Sequence, residues 1–221
     1  MYVLIDGENI DATLGVNILK RTPRAEERPR WDRVLTYNPF DPKDTSEQTT
    51  DYSPVPVEEP AGTCAPTPNI MAANVAEAKA LAGTKGLFFL NATQRTAAPF
   101  VQALLAIGWT PIQLTSDHLE RKIVDEGIQK TLDAIAAVRP GADVVVGSHD
   151  VDYLPQIEKL LDTGHRVAIV CFKEFLAMPL AELEERGLVI VDLEFDINAF
   201  NLPLNRTHPV DIDDFDPYLY I

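Results

Sequence analysis

The chain has 221 residues and carries 34 Asp and Glu against 19 Lys and Arg, a formal net charge of −15. That length suits one sizeable core with an appendage, and no run approaches the roughly 20 apolar residues of a membrane span. Asp6 falls where a secretory signal needs an apolar run, so a soluble, cytoplasmic protein without membrane contact is expected. The acidic balance speaks against broad, nonspecific attachment to nucleic acid, which draws on surplus Lys and Arg.

The chain opens on an apolar strand, Met1-Tyr2-Val3-Leu4-Ile5, followed by Asp6-Gly7-Glu8-Asn9. From about Thr22 to Pro68 hydrophobic periodicity fades and prolines accumulate, which reads as an inserted long loop, functional or disordered. Within it, Trp31 to Tyr37 mixes aromatic and β-branched residues and is expected to form a short edge strand. Lys20, Arg21, Arg24, Arg28, Arg30 and Arg33 crowd this region beside Trp31, a combination that could track an RNA backbone and stack a base. Glu26, Glu27 and Asp32 intervene, so a mixed-charge solvated loop is the preferred reading.

Regular alternation follows. The spacing predicts a helix over Asn69 to Ala82, a strand over Gly86 to Asn91, a helix over Ala97 to Ile107 and a strand over Trp109 to Leu114, with Pro111 hinting at a sheet edge. Ile128, Leu132, Ile135 and Val138 mark a helix from Val124 to Val138. Val144 to Val146 is a buried strand, Leu154 to Asp162 a helix, and Val167 to Phe172 another buried strand. A helix from Leu180 to Arg186 and a strand from Leu188 to Leu193 complete the series. Apolar strands alternating with helices imply an α/β fold, a mostly parallel sheet with helices on both faces. The domain is therefore expected over residues 1–194, with 22–68 inserted and an acidic C-terminal tail over 195–221. The insertion or the apolar tip of the tail could join a second copy or a protein partner. Cys64 and Cys171 lie in dissimilar contexts and are expected as two free thiols.

Asp6 and the pair Asp150 and Asp152 lie just past apolar strands, and Asp125 enters a helix. In an open parallel sheet, ligands collect outside the carboxyl ends of the strands, so these carboxylates can share one crevice. Mg²⁺ prefers oxygen ligands, and such ions lower the pKa of bound water, so no Ser, Cys or His nucleophile is required. Each residue also has a structural explanation: a turn at Asp6-Gly7, a helix-dipole charge at Asp125, a helix cap at Asp150 or Asp152, a turn at Asn9.

Asp6-Gly7-Glu8-Asn9 after a first strand, Lys122-Ile123-Val124-Asp125 leading into a helix, and Gly147-Ser148-His149-Asp150-Val151-Asp152-Tyr153 before another resemble, in order, the NYN domain family, relatives of PIN-domain nucleases. The resemblance covers Met1 to about Asp192, apart from the insertion. It implies a three-layer PIN-like fold and a metal-dependent ribonuclease that binds Mg²⁺ or Mn²⁺ through acidic residues and leaves 5′-phosphate and 3′-hydroxyl ends on RNA. Asp6 and Asp150 are assigned as direct ligands, with Asp125 and Asp152 completing the set and Asn9 orienting water or a phosphate oxygen. Lys122, Ser148, Asn91 and Arg95 are candidate substrate contacts, with Thr93 beside them. His149 could shuttle a proton, but a solvent-facing loop histidine is the preferred reading; His118 and His165 are expected to be structural. The competing function is a noncatalytic RNA-binding or regulatory protein-interaction module on the same fold. A doubly wound nucleotide binder is disfavoured, because no Gly-rich phosphate loop is present.

Overall fold

A computed structural model describes residues 1–41, 83–93, 98–118, 121–206, 212 and 215–219. Six strands form one sheet: β1 (Tyr2–Asp6), β2 (Lys85–Asn91), β3 (Thr110–Leu114), β4 (Val144–Gly147), β5 (Val167–Cys171) and β6 (Val189–Asp192). Their order is β3-β2-β1-β4-β5-β6, and every pairing is parallel. The expected α/β architecture is present, and β3, with Pro111, lies at an edge.

The alternating side chains of each strand explain the two layers of helices. Val3 and Ile5 of β1, Phe88 and Leu90 of β2, Val145 of β4 and Val170 of β5 share one buried cluster. It is closed by Ile10 of α1 (Gly7–Ala12), Leu14 of its π-helical continuation (Thr13–Leu19), three residues of α2 (Trp31–Thr36) and Leu104 of α3 (Ala98–Ala106). Leu4, Phe89, Val146 and Ile169 belong to the opposite cluster. There they meet Ile128 and Leu132 of α4 (Ile123–Val138), Ile157 and Leu160 of α5 (Leu154–Asp162) and Leu180 of α6 (Met178–Ala181). Strands buried on both faces require near-continuous apolar runs, as these are.

Residues 31–36 depart from expectation: they form helix α2 instead of an edge strand, and Tyr37 follows the helix in an extended conformation. Trp31, Val34 and Leu35 stand at i, i+3 and i+4, so all three reach the core from one helical face. Trp31 packs edge-on against Phe88 and Trp109, with ring centroids 4.9 and 6.5 Å away. It is thus unavailable to stack on a base. Four of the six basic residues around it are also committed: Arg28 pairs with Asp11, Arg30 with Asp32, and Arg21 with Glu27, while Arg33 donates to the Asn198 carbonyl. Residues 22–41 therefore join the packed domain, whereas the helix expected over 69–82 lies outside the described residues.

Beyond β6 the chain packs as well. Ile197, Ala199 and Phe200 are buried in the first cluster, and the Arg30 N–H donates to the Ala199 carbonyl at 2.6 Å. Cys171 is a buried free thiol, and Cys64 lies outside the described residues. Among the described residues, no helix is long and apolar enough to cross a membrane.

Candidate functional site

The strand order reverses between β1 and β4, and a crevice at such a reversal is where an open α/β sheet binds ligands. β1 ends on Asp6 and β4 on Gly147, so the peptide after each strand faces this crevice from adjoining positions. Two glycines permit the close approach. A Cβ on Gly7 would strike the Phe88 ring, which is held by edge-on contacts with Trp31, Phe100 and Trp109; one on Gly147 would strike Ile5 Cδ1.

Asp125, Asp150 and Asp152 converge: each can present a carboxylate oxygen within 4.8 Å of the others. Asp125 stands in the first turn of α4. Asp150 caps a short 3₁₀ turn, Val151–Tyr153, and accepts the Asp152 N–H at 3.0 Å. Gln129 of α4 donates to the Asp152 carbonyl at 2.8 Å, fastening that turn to the helix that carries Asp125.

Asp6 sits deeper, at 3% exposure, and is not one of the three converging carboxylates. Its Oδ1 accepts the Asn9 N–H at 3.0 Å, capping α1, and its Oδ2 accepts the Tyr153 hydroxyl at 2.8 Å. The same hydroxyl lies 3.3 Å from Asp125 Oδ1. Tyr153 thus links Asp6 to the three outer carboxylates. Burial pushes the Asp6 carboxyl up to about 6 despite the bonds from Asn9 and Tyr153. Burial also raises Asp125, against the opposing pull of Lys122, and raises the Tyr153 phenol far enough that it remains a proton donor.

Lys122, expected to touch substrate, places its ammonium 2.6 Å from Asp152 and 3.6 Å from Asp125. Asp152, then Asp125 and Asp150, raise its affinity for its proton. Ser148 is buried, and its Oγ accepts the Asp150 N–H at 3.2 Å, so it shapes the turn. Asn91, at the end of β2, accepts the Thr93 N–H at 3.0 Å through its side chain, while its own N–H donates to Glu8. Arg95 lies outside the described residues.

His149 is not solvent-facing: it is 6% exposed and stacks on Phe172 with centroids 5.6 Å apart. Its position past β4 turns it inward against α1, where Asn9 Oδ1 accepts the His149 N–H at 2.9 Å and lies 2.8 Å from the ring Nδ1. Burial lowers His149 to about 4. It is therefore neutral at physiological pH, which removes the basis for the proton-shuttle reading. His165 holds the Ala142 carbonyl through Nδ1 at 2.8 Å, the structural role expected of it.

Tyr153 and Gln129 were absent from the residues singled out by sequence. Tyr153 carried a usable signal, since a tyrosine between a turn bearing two carboxylates and an apolar helix buries its ring and needs a partner for its hydroxyl. Gln129 carried none beyond its place one turn after Asp125. A separate groove of about 570 Å³ beside the π-helix, lined by residues such as Asp11, Gly15, Val16 and Arg21, includes none of the carboxylates of the crevice.

No family model matches the chain, and no curated protein matches it. A crystal structure of a protein of unknown function from Vibrio parahaemolyticus is similar in fold, with a TM-score of 0.51 and 12% identity over 88% of this chain and 93% of that one. At that identity the likeness concerns the fold alone.

Proposed function

We propose that the protein is a metal-dependent ribonuclease, as the resemblance to the NYN domain family implies. The observation that carries this reading is the convergence of Asp125, Asp150 and Asp152 at the crevice where the sheet order reverses. The donor set fits a hard divalent cation such as Mg²⁺ or Mn²⁺, because it consists of carboxylate oxygens. The Lys122 ammonium, already paired with Asp152 and near Asp125, supports a spot that favours positive charge.

Asp125, Asp150 and Asp152 would hold the metal, and Asp6 would support them through the Tyr153 hydroxyl. When bound, the metal supplies an activated water and neutralises charge on the phosphodiester. Asn9 is fixed by its Oδ1, and its amide hydrogens would serve a substrate oxygen. The Lys122 stem is exposed and can swing from Asp152 to a substrate phosphate. The net charge of −15 then makes RNA affinity depend on the metal and on this local cation.

Purified protein incubated with Mn²⁺ or Mg²⁺ and a panel of single-stranded and structured RNAs is expected to yield 5′-phosphate ends. Asp150→Asn and Asp125→Asn should each abolish the activity while the protein stays folded. Cleavage that persists in both variants, or no cleavage of any RNA by the parent protein, defeats the proposal.

The alternative, a noncatalytic RNA-binding or regulatory module, draws support from the Lys122–Asp152 pair, which can serve as a permanent internal substitute for a cation. It predicts no Mn²⁺ binding at millimolar concentration and full function in Asp150→Asn.

A further inference from the structure

The orientation of the Asn9 amide is set by a chain of hydrogen bonds that begins on a different strand. Past the end of β5, the Phe172 N–H donates to His149 Nε2 at 2.8 Å. A backbone N–H can only donate, so Nε2 offers its lone pair and the single proton of the neutral ring resides on Nδ1. Nδ1 in turn lies 2.8 Å from Asn9 Oδ1 and 3.2 Å from Thr13 Oγ1, both able to accept. Asn9 Oδ1 also receives the His149 backbone N–H at 2.9 Å. Two donors on one atom identify that atom as the amide oxygen, so the –NH₂ end must face the other way. The ring itself is clamped by its near-parallel stacking on Phe172, with an interplanar angle of 9°.

We propose that His149 is a positioning residue for Asn9: held as its Nδ1–H tautomer by the Phe172 N–H, it fixes which end of the Asn9 amide is presented to the acidic crevice. The consequence is a donor held in one orientation, suited to an anionic oxygen such as a phosphodiester oxygen. A freely flipping amide would offer its oxygen half of the time, and an oxygen there would repel the same ligand. The use of this donor on RNA rests on the ribonuclease reading; the positioning does not.

The tautomer and the amide are both observable in the metal-free protein by ¹⁵N NMR. Nδ1 of His149 is expected to be the protonated nitrogen, and the Asn9 side-chain amide should give one sharp, shifted pair of hydrogens. Protonation on Nε2 overturns the proposal.

Side-chain isosteres separate positioning from mere packing. His149→Asn places an amide N–H where Nδ1–H was, whereas His149→Gln reaches only the Nε2 position and His149→Phe neither. The Asn9 amide signals should survive in His149→Asn and broaden or move to free-amide positions in the other two. Unchanged Asn9 signals in a folded His149→Phe overturn the proposal.

In cleavage assays with Mg²⁺ and a single-stranded RNA oligonucleotide, Gln and Phe are expected to lower kcat by up to about 100-fold, as displaced catalytic groups do. Mg²⁺ affinity and KM should change little, and Asn should restore most of the rate. If the parent protein cleaves no RNA, the ribonuclease reading fails, while the NMR outcomes still decide the positioning.

Discussion

The Tyr153 hydroxyl joins Asp6, 2.8 Å away and buried, to Asp125, 3.3 Å away at the mouth of the crevice. A single phenolic hydrogen serves both, and donation to Asp6 stabilises that carboxylate against the burial that disfavours it. Tyr153→Phe removes the donor but keeps the ring, leaving a buried acceptor with one bond fewer. A loss of about 1–3 kcal/mol is expected in chemical denaturation at neutral pH. The Asp6 carboxyl should also titrate higher in the variant, as followed by infrared or ¹³C NMR; an unchanged titration would mean that the hydroxyl serves Asp125 instead.

Asp6 and His149 oppose each other in pH dependence. The folded protein raises Asp6 from 3.8 to about 6, so it retains a proton that the unfolded chain releases, and stability falls as pH rises through that window. Folding lowers His149 from 6.5 to about 4, so the unfolded chain takes up a proton that the native state refuses, and stability falls as pH drops through that window. Each effect is worth about 3 kcal/mol, at about 1.4 kcal/mol per pKa unit, and the two nearly cancel between pH 4 and 6.5. Asp6→Asn should therefore stabilise the metal-free protein by up to about 3 kcal/mol at pH 7, with the gain vanishing near pH 4. His149→Asn should show the opposite trend, its stability relative to the parent rising on acidification. Denaturation of the three proteins in chelator, from pH 4 to 7.5, measures both differences.

The strands and the helices from residue 123 onward were legible because burial on two faces imposes continuous apolar runs on strands and a 3.6-residue spacing on helices. Helix α2 was misread because its aromatic and β-branched content suits a strand, although the Trp31, Val34 and Leu35 spacing already belonged to a helix. The convergence of Asp125, Asp150 and Asp152 was legible, since Asp150 and Asp152 follow an apolar strand and Asp125 enters a helix. Their ranking was not. Whether Asp6 lies in the outer group or behind it depends on how far Tyr153 reaches back across the sheet, a tertiary distance without a sequence period. His149 illustrates the same limit: a loop residue turns inward when the neighbouring strand end offers a backbone N–H, here that of Phe172.

Lys122 would compete with a cation held by the carboxylates. Its Nζ is 2.6 Å from Asp152, yet the side chain is 67% exposed, so screening and flexibility leave the pair little weight in folding. Lys122→Met should leave thermal stability almost unchanged and tighten Mn²⁺ binding by about tenfold, since that factor requires only about 1.4 kcal/mol. Calorimetric titration gives the affinity directly. If Lys122 also grips substrate phosphate, RNA binding in the presence of Ca²⁺ should weaken in the same variant, and this second measurement separates the two duties.

Arg206 anchors the chain beyond β6, and its removal should be costly in a pH-dependent way. Its guanidinium reaches Asp192 at 3.1 Å and Glu194 at 2.8 Å, contacts Glu174, and lies over the rings of Phe172 and Phe195 at 5.2 and 4.8 Å. Asp192, 1% exposed at the end of β6, is pushed up by burial, but Arg206 and the Lys173 and Phe195 N–H groups pull it below the ordinary 3.8. Arg206→Met keeps the apolar stem and strands that carboxylate, a change expected to cost about 3–5 kcal/mol at neutral pH. In the parent protein the contribution of Asp192 is present above its unfolded pKa and is lost as pH falls. In the variant the uncompensated charge is relieved by protonation, so the deficit should narrow toward pH 4. Adding Asp192→Asn should recover part of the loss at pH 7, because the most deeply buried of the carboxylates left without Arg206 is then uncharged. A deficit that is constant with pH, or a double variant no more stable than Arg206→Met, would show that Arg206 acts through its packing on Phe172 and Phe195 rather than through its charge.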